Sequence, residues 1–99
     1  MSADTELSFV IIARIPRDGV GFFQIYEDRV LPLLKEHGGQ LQRRMRNDDG
    51  TIEMHIVVFP SQAALEAYRD DFRRTSQDPM LEKSGAEIEL VKMMDVDLV

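Results

Sequence analysis

The chain has 99 residues, enough for one domain and one core, and 43% hydrophobic with 30% charged residues is the balance of a folded globular protein. A formal net charge of -6 argues against a nucleic-acid backbone as partner, because such binding depends on basic surface. The absence of cysteine removes disulfides, thiolate nucleophiles and cysteine-ligated zinc.

The polar, acidic start from Met1 to Glu6 lacks the basic and apolar regions of a secretory leader, and no segment reaches the roughly 20 apolar residues of a membrane span. A cytoplasmic protein with no membrane partner is therefore expected. The first element is Phe9 to Ala13, apolar on both faces, as suits a central strand. Pro16, Gly19 and Gly21 mark a loop into the first helix.

On a helical wheel, Phe22, Phe23, Tyr26, Val30, Leu33, Leu34 and His37 form one stripe, and Gly38-Gly39 supplies the stop. Pro32 removes a backbone donor inside this helix. Because the stripe keeps its phase across Pro32, one bent helix is predicted rather than two short ones.

Two strands follow. Gln40 to Arg46 alternates Leu41, Arg43 and Met45 against Gln42, Arg44 and Arg46, and Thr51 to Phe59 alternates Ile52, Met54, Ile56 and Val58 against Glu53, His55 and Val57. A four-residue loop from Asn47 to Gly50 would set Arg46 opposite Thr51, Arg44 opposite Glu53 and Gln42 opposite His55. Ser61 is a suitable N-cap for a second helix with Ala64, Leu65, Tyr68 and Phe72 on its buried stripe, fading after Arg74. Asp78-Pro79 predicts a further short turn around Met80 and Leu81, stopped by Gly85. Ile88, Leu90 and Val91 mark a fourth strand, and the tail after Met94 reads as an extension.

The chain thus repeats strand, helix and strand, from Leu7 to about Arg46 and again from Thr51 to about Met94. The predicted fold is a single α+β domain over residues 1–99, a ferredoxin-like βαββαβ sandwich with a four-stranded antiparallel sheet and helices on one face. By parity, the open face would carry Val10, Ile12, Val57, Val91 and Met93 among Arg14, Gln42, Arg44, Glu53, His55 and Glu89. Covering those apolar residues calls for a second copy, so a homodimer is predicted.

Leu31-Pro32-Leu33-Leu34-Lys35-Glu36-His37-Gly38-Gly39 and Phe59-Pro60-Ser61-Gln62-Ala63-Ala64-Leu65-Glu66-Ala67-Tyr68 are similar to segments of the dimeric α/β-barrel superfamily, in particular its antibiotic-biosynthesis-monooxygenase-like and uncharacterised branches. The resemblance covers nearly the whole chain. It implies subunits whose sheets face each other in a barrel, and it permits cofactor-independent monooxygenase chemistry. The two segments are fold signals, each with a structural explanation as a strand end, a cap or a buried stripe.

Among residues that can carry chemistry, His55 stands out as a lone imidazole on a central strand near Arg14, Gln42 and Glu53, able to act as a general base or simply to line the barrel. His37 ends the first helix, where it can line a pocket or interact with the helix dipole. Tyr26 and Tyr68 offer phenol groups to a ligand or to the core. Parity places Arg43 on the helix-covered face, where its guanidinium needs an anion or an escape at the sheet edge. With no His-x-x-x-His or Glu-x-x-His spacing and no glycine-rich phosphate loop, neither a metal nor a cofactor is expected. The leading expectation is a dimer that holds a small apolar or aromatic ligand. A monooxygenase-like enzyme and a structural or regulatory dimer are the alternatives, and the lack of Trp removes one common aromatic substrate contact.

Overall fold

The structure, a computed structural model, describes residues 6–97. Residues 1–5, read above as a polar start, and residues 98–99 of the tail lie outside the described residues. Four antiparallel strands, β1 (Leu7–Arg14), β2 (Gln40–Arg46), β3 (Ile52–Phe59) and β4 (Glu87–Met93), are ordered β2-β3-β1-β4. Helices α1 (Val20–Val30), α2 (Leu33–Glu36), α3 (Gln62–Asp70), α4 (Phe72–Thr75) and α5 (Asp78–Ser84) complete the α+β ferredoxin-like arrangement. The core lies between the layers, where Phe9, Val57 and Phe59 of the sheet meet Leu33, Leu34, Leu65 and Tyr68.

The helix at Pro32 is split and not simply bent. Leu31 and Pro32 keep right-handed helical dihedrals, but the hydrogen-bond ladder is interrupted there because proline has no N–H. The apolar phase survives the break, so Phe23, Tyr26, Val30, Leu33 and Leu34 are all buried. Phe22 falls at the margin, 36% exposed, with the Lys83 Nζ 5.2 Å from its ring centre. Glu27 takes a place on the buried stripe instead.

The hairpin register differs from the expected one by two residues. Asn47 and Ile52 still bond across the strands, with the Asn47 N–H donating to the Ile52 carbonyl and the Ile52 N–H donating to Asn47 Oδ1. The loop therefore starts one residue later, and Arg46 lies opposite Glu53 and Arg44 opposite His55. A bulge between Leu41 and Arg43 inserts Gln42 as an extra residue. Past it, Leu41 opposite Val57 returns to the helix side, while Arg43 opposite Ile56 faces away.

The larger correction concerns which face of β3 meets the helices. His55 pairs with Ile11, Val57 with Phe9 and Glu53 with Ala13, and all of these belong to the helix-covered face. The open face carries Val10, Ile12, Val91 and Met93 as expected, but with Ile52, Met54, Ile56 and Val58 in place of Glu53, His55 and Val57. It is more apolar than the sequence parity implied, and Arg43 sits on it beside Met45 rather than under the helices.

The Ser61 Oγ accepts the Ala64 N–H at 3.1 Å and starts α3 as expected. The helix ends at Asp71, whose ψ of 124° rotates the chain before α4 restarts, and Phe72 is consequently 79% exposed rather than buried. Gly85 closes α5 at φ 71°, a conformation that suits glycine. Gly19 packs against the backbone of Ser84, tying the β1–α1 connection to the end of α5. Beyond β4 the tail carries no regular structure through Asp97, and among the described residues no helix is long and apolar enough to cross a membrane.

Candidate functional site

The helix layer does not fill the space over the centre of the sheet. A cavity of about 200 Å³ remains between α1, α3, α4 and strands β1, β3 and β4. Phe9, Val57, Phe59, Leu65, Ile88 and Leu90 supply much of its apolar wall. Its polar groups are Tyr26 and Glu27 from α1, His55 from β3, Tyr68 and Arg69 from α3 and Arg74 from α4. Glu27, Leu31 and Leu34 also border a wider outer cleft of about 570 Å³ between the α1–α2 corner and β2, so the two spaces share a wall.

His55 is 4% exposed, and its Nε2 lies 2.6 Å from Glu53 Oε2. Glu53 is 2% exposed, and its charge is matched across the hairpin: Arg44 Nε donates to Oε2 at 2.9 Å and Arg46 Nε to Oε1 at 3.0 Å. Burial opposes the charged carboxylate, but hydrogen bonds from His55, Arg44 and Arg46 hold its pKa down to about 2. An ionised Glu53 accepts and cannot donate, so in this hydrogen bond the proton belongs to His55 Nε2. Two guanidinium groups thus fix a carboxylate, and the carboxylate fixes the orientation of an imidazole that lines the cavity.

Glu27, 5% exposed, is the other carboxyl group at this end. Burial pushes its pKa up to about 7, an effect that the nearby His55 partly offsets. Glu27, Glu53 and His55 each offer one ligand atom within 4.8 Å of the others, the spacing of a cation site. Both oxygens of Glu53, however, already accept guanidinium hydrogens, and a cation there would sit beside two fixed positive charges. The set is better suited to holding and moving a proton.

Across the cavity, burial raises the Tyr26 phenol to about 12 and also raises that of Tyr68, so both remain O–H donors at neutral pH. Arg74 lies with its Cζ 5.1 Å from the centre of the Tyr68 ring.

The structure therefore gathers Tyr26, His55 and Tyr68 around one cavity. It separates the other two candidates. His37 stands behind Tyr68 with its ring edge-on, and its Nε2 is 2.8 Å from Asp71 Oδ2. Hydrogen bonds from Arg73 and then His37 hold Asp71 well below the usual carboxylate range, making His37 part of a clasp between α2 and α4. Arg43 is exposed on the opposite face of the sheet. Sequence reasoning missed Glu27 and Arg74 as site residues. Glu27 had a readable signal, since its spacing from Phe23, Val30 and Leu34 puts it on the buried stripe. Arg74 had none, because its place depends on the break at Asp71.

No protein-family model and no curated protein sequence matches the chain. Solved structures do. A candidate antibiotic biosynthesis monooxygenase from Bacteroides thetaiotaomicron superposes with a TM-score of 0.80 at 9% identity, over 97% of this chain and 94% of that one. Another from Caulobacter crescentus gives 0.72 at 10% identity over 92% of each chain. The cofactor-independent oxygenase SnoaB of Streptomyces nogalater gives 0.69 at 14% identity over 96% of this chain and 97% of that one. At these identities the likeness is one of fold alone, the α+β ferredoxin-like arrangement described above.

Proposed function

We propose that the cavity binds a small apolar or aromatic molecule bearing an acidic C–H or O–H, and that the chain acts on it as a cofactor-independent oxygenase. The observation that carries this reading is a buried imidazole held through one nitrogen by an ionised carboxylate, in an otherwise largely apolar chamber. His55 takes a proton from an activated methylene of the substrate, and the apolar walls exclude competing water. The resulting carbanion is electron-rich enough to react with molecular oxygen. One oxygen atom becomes a carbonyl at that carbon, and the second leaves as water with the two methylene hydrogens, so a CH2 group and O2 give a C=O group and H2O. The solved structures named as oxygenases on this fold support the reaction class.

The working form in this reading is a homodimer in the cytoplasm. The open sheet face presents Val10, Ile12, Met54, Ile56, Val91 and Met93 across three strands, and Met45, Ile52 and Met93 are 40%, 45% and 47% exposed. A second copy of the same face is the complementary cover.

The test is oxygen uptake with cyclic ketones that carry an activated methylene, such as 2-tetralone. His55→Gln should lower turnover by about 10²–10⁴-fold, the usual contribution of a positioned base. Equal oxygen uptake by the variant and the wild-type protein would overturn the base assignment. A second reading, binding without turnover, rests on the same cavity. It predicts a dimer carrying a bound small molecule in native mass spectrometry and no oxygen uptake with any ketone.

A further inference from the structure

At the end of the cavity formed by α3 and α4, Arg74 makes no salt bridge among the described residues. Among the described residues its buried Nε has no hydrogen-bond partner, and its Nη1 lies 3.4 Å from the Arg69 carbonyl. A guanidinium carries five donors and no acceptor, and buried donors are almost always paired. Neither nearby carboxyl group is bonded to it: Glu53 is committed to Arg44, Arg46 and His55, and Glu27, which lines the cavity and feels the Arg74 charge, has its pKa pushed up to about 7 by burial. The nearby phenols keep their protons, and the Tyr68 oxygen is an acceptor beside the guanidinium that leaves its Nε unpaired. Tyr68 Oη has only a long contact to the Val30 carbonyl, at 3.5 Å.

This makes the cavity unlike the protein around it. The chain as a whole is acidic, at -6, whereas this end of the cavity carries a guanidinium whose buried Nε lacks an acceptor among the described residues. The tyrosine ring against the guanidinium also orients its plane, which favours recognition of a planar group. The volume of about 200 Å³ corresponds to about seven water molecules, below the range of drug-sized sites. One or two aromatic rings fit that space.

We propose that the ligand is a small aromatic carboxylate and that Arg74 is the residue that anchors its carboxyl group. A single guanidinium between aromatic walls matches one planar negative charge better than a phosphate, which carries more charge and a heavier hydration shell to remove. The assignment rests on the cavity reading above. It also gives the ring a fixed orientation, with its acid at Arg74 and the rest of the molecule directed to the part of the cavity that His55 lines.

The test is calorimetric titration of the full-length protein with benzoate and 2-naphthoate, against benzamide and 2-naphthamide as neutral counterparts and phenyl phosphate as the competing anion. The acids should bind about tenfold or more tightly than the amides, and benzoate should bind more tightly than phenyl phosphate. Arg74→Met, which keeps the aliphatic stem, should abolish the preference for acids while leaving amide binding in place. Arg74→Lys should restore part of it. Circular dichroism checks that both variants fold. If acids and amides bind the wild-type protein equally, or Arg74→Met keeps the preference, the anchor is refuted while the cavity reading stands. Tighter binding of phenyl phosphate also refutes the carboxylate assignment. If none of the probes binds at millimolar concentration, the anchor and the cavity reading fall together.

Discussion

Replacing Glu27 by Gln tests the electrostatics of the cavity without removing its shape. The groups that face Glu27 are His55 and Glu53 on β3, Arg44 on β2 and Arg74 on α4, and their net effect leaves burial dominant. Folding raises the Glu27 pKa from 4.5 to about 7, so the folded state holds this proton more tightly than the unfolded chain does. The stabilisation by the protonated form is complete below pH 4.5 and is lost as pH rises to about 7. At 1.36 kcal/mol per pH unit, that difference amounts to about 3 kcal/mol. Gln mimics the protonated acid at every pH. Glu27→Gln should therefore match the wild-type protein near pH 4 and exceed its stability by about 3 kcal/mol at pH 8.5. Urea unfolding at matched protein concentration, repeated across that range, measures the difference. A constant offset can come from the altered hydrogen bonding of the amide, so the slope is the diagnostic quantity. A difference that stays flat between pH 4 and 8.5, or falls with rising pH, would refute the claim that burial controls this carboxyl.

Glu53 gives the opposite dependence. Its pKa is depressed to about 2, so its contribution is present above pH 4.5 and is lost as pH falls through about 2. Glu53→Gln leaves two guanidinium groups without their charge partner and should cost about 3 kcal/mol at pH 7, with a smaller deficit at pH 3, both measured by urea unfolding. An undiminished deficit at pH 3 would contradict the assignment. Ile56→Asp on the open sheet face should convert a dimer to a monomer in light scattering, with the monomer retaining its far-ultraviolet circular dichroism. A wild-type protein that is monomeric at micromolar concentration would remove that prediction. Gly19→Ala should destabilise by about 3 kcal/mol in thermal or urea unfolding, because its Cβ would overlap the Ser84 carbonyl oxygen and come within 2.7 Å of the carbonyl carbon. Gly21→Ala is the control. Nothing lies within 4 Å of its Cβ, and the substitution in α1 should stabilise by about 0.5 kcal/mol.

Local chemistry in the sequence determined the element order and several boundaries. Ser61 caps α3 with its own hydroxyl, Gly85 adopts the left-handed turn that ends α5, and the apolar stripe from Phe23 to Leu34 keeps its phase across a proline. These signals depend on neighbours a few residues away, so a single sequence contains them. The period-two alternation of β3 also sorted its residues correctly into two rows, Ile52, Met54, Ile56 and Val58 against Glu53, His55 and Val57.

Which row meets the helices was decided only by the tertiary structure. The more uniformly apolar row faces away, while the row with Glu53 and His55 goes inside. That choice is tolerable because Arg44 and Arg46 come from the neighbouring strand to neutralise Glu53, and a cavity gives His55 room. The bulge at Gln42 and the break at Asp71 act in the same way: one moves Arg43 to the open face and the other swings Phe72 out, and α4 then delivers Arg74 to the cavity. Alternation says which side chains share a face. Only the charges and volumes brought together by folding say which face is the inner one.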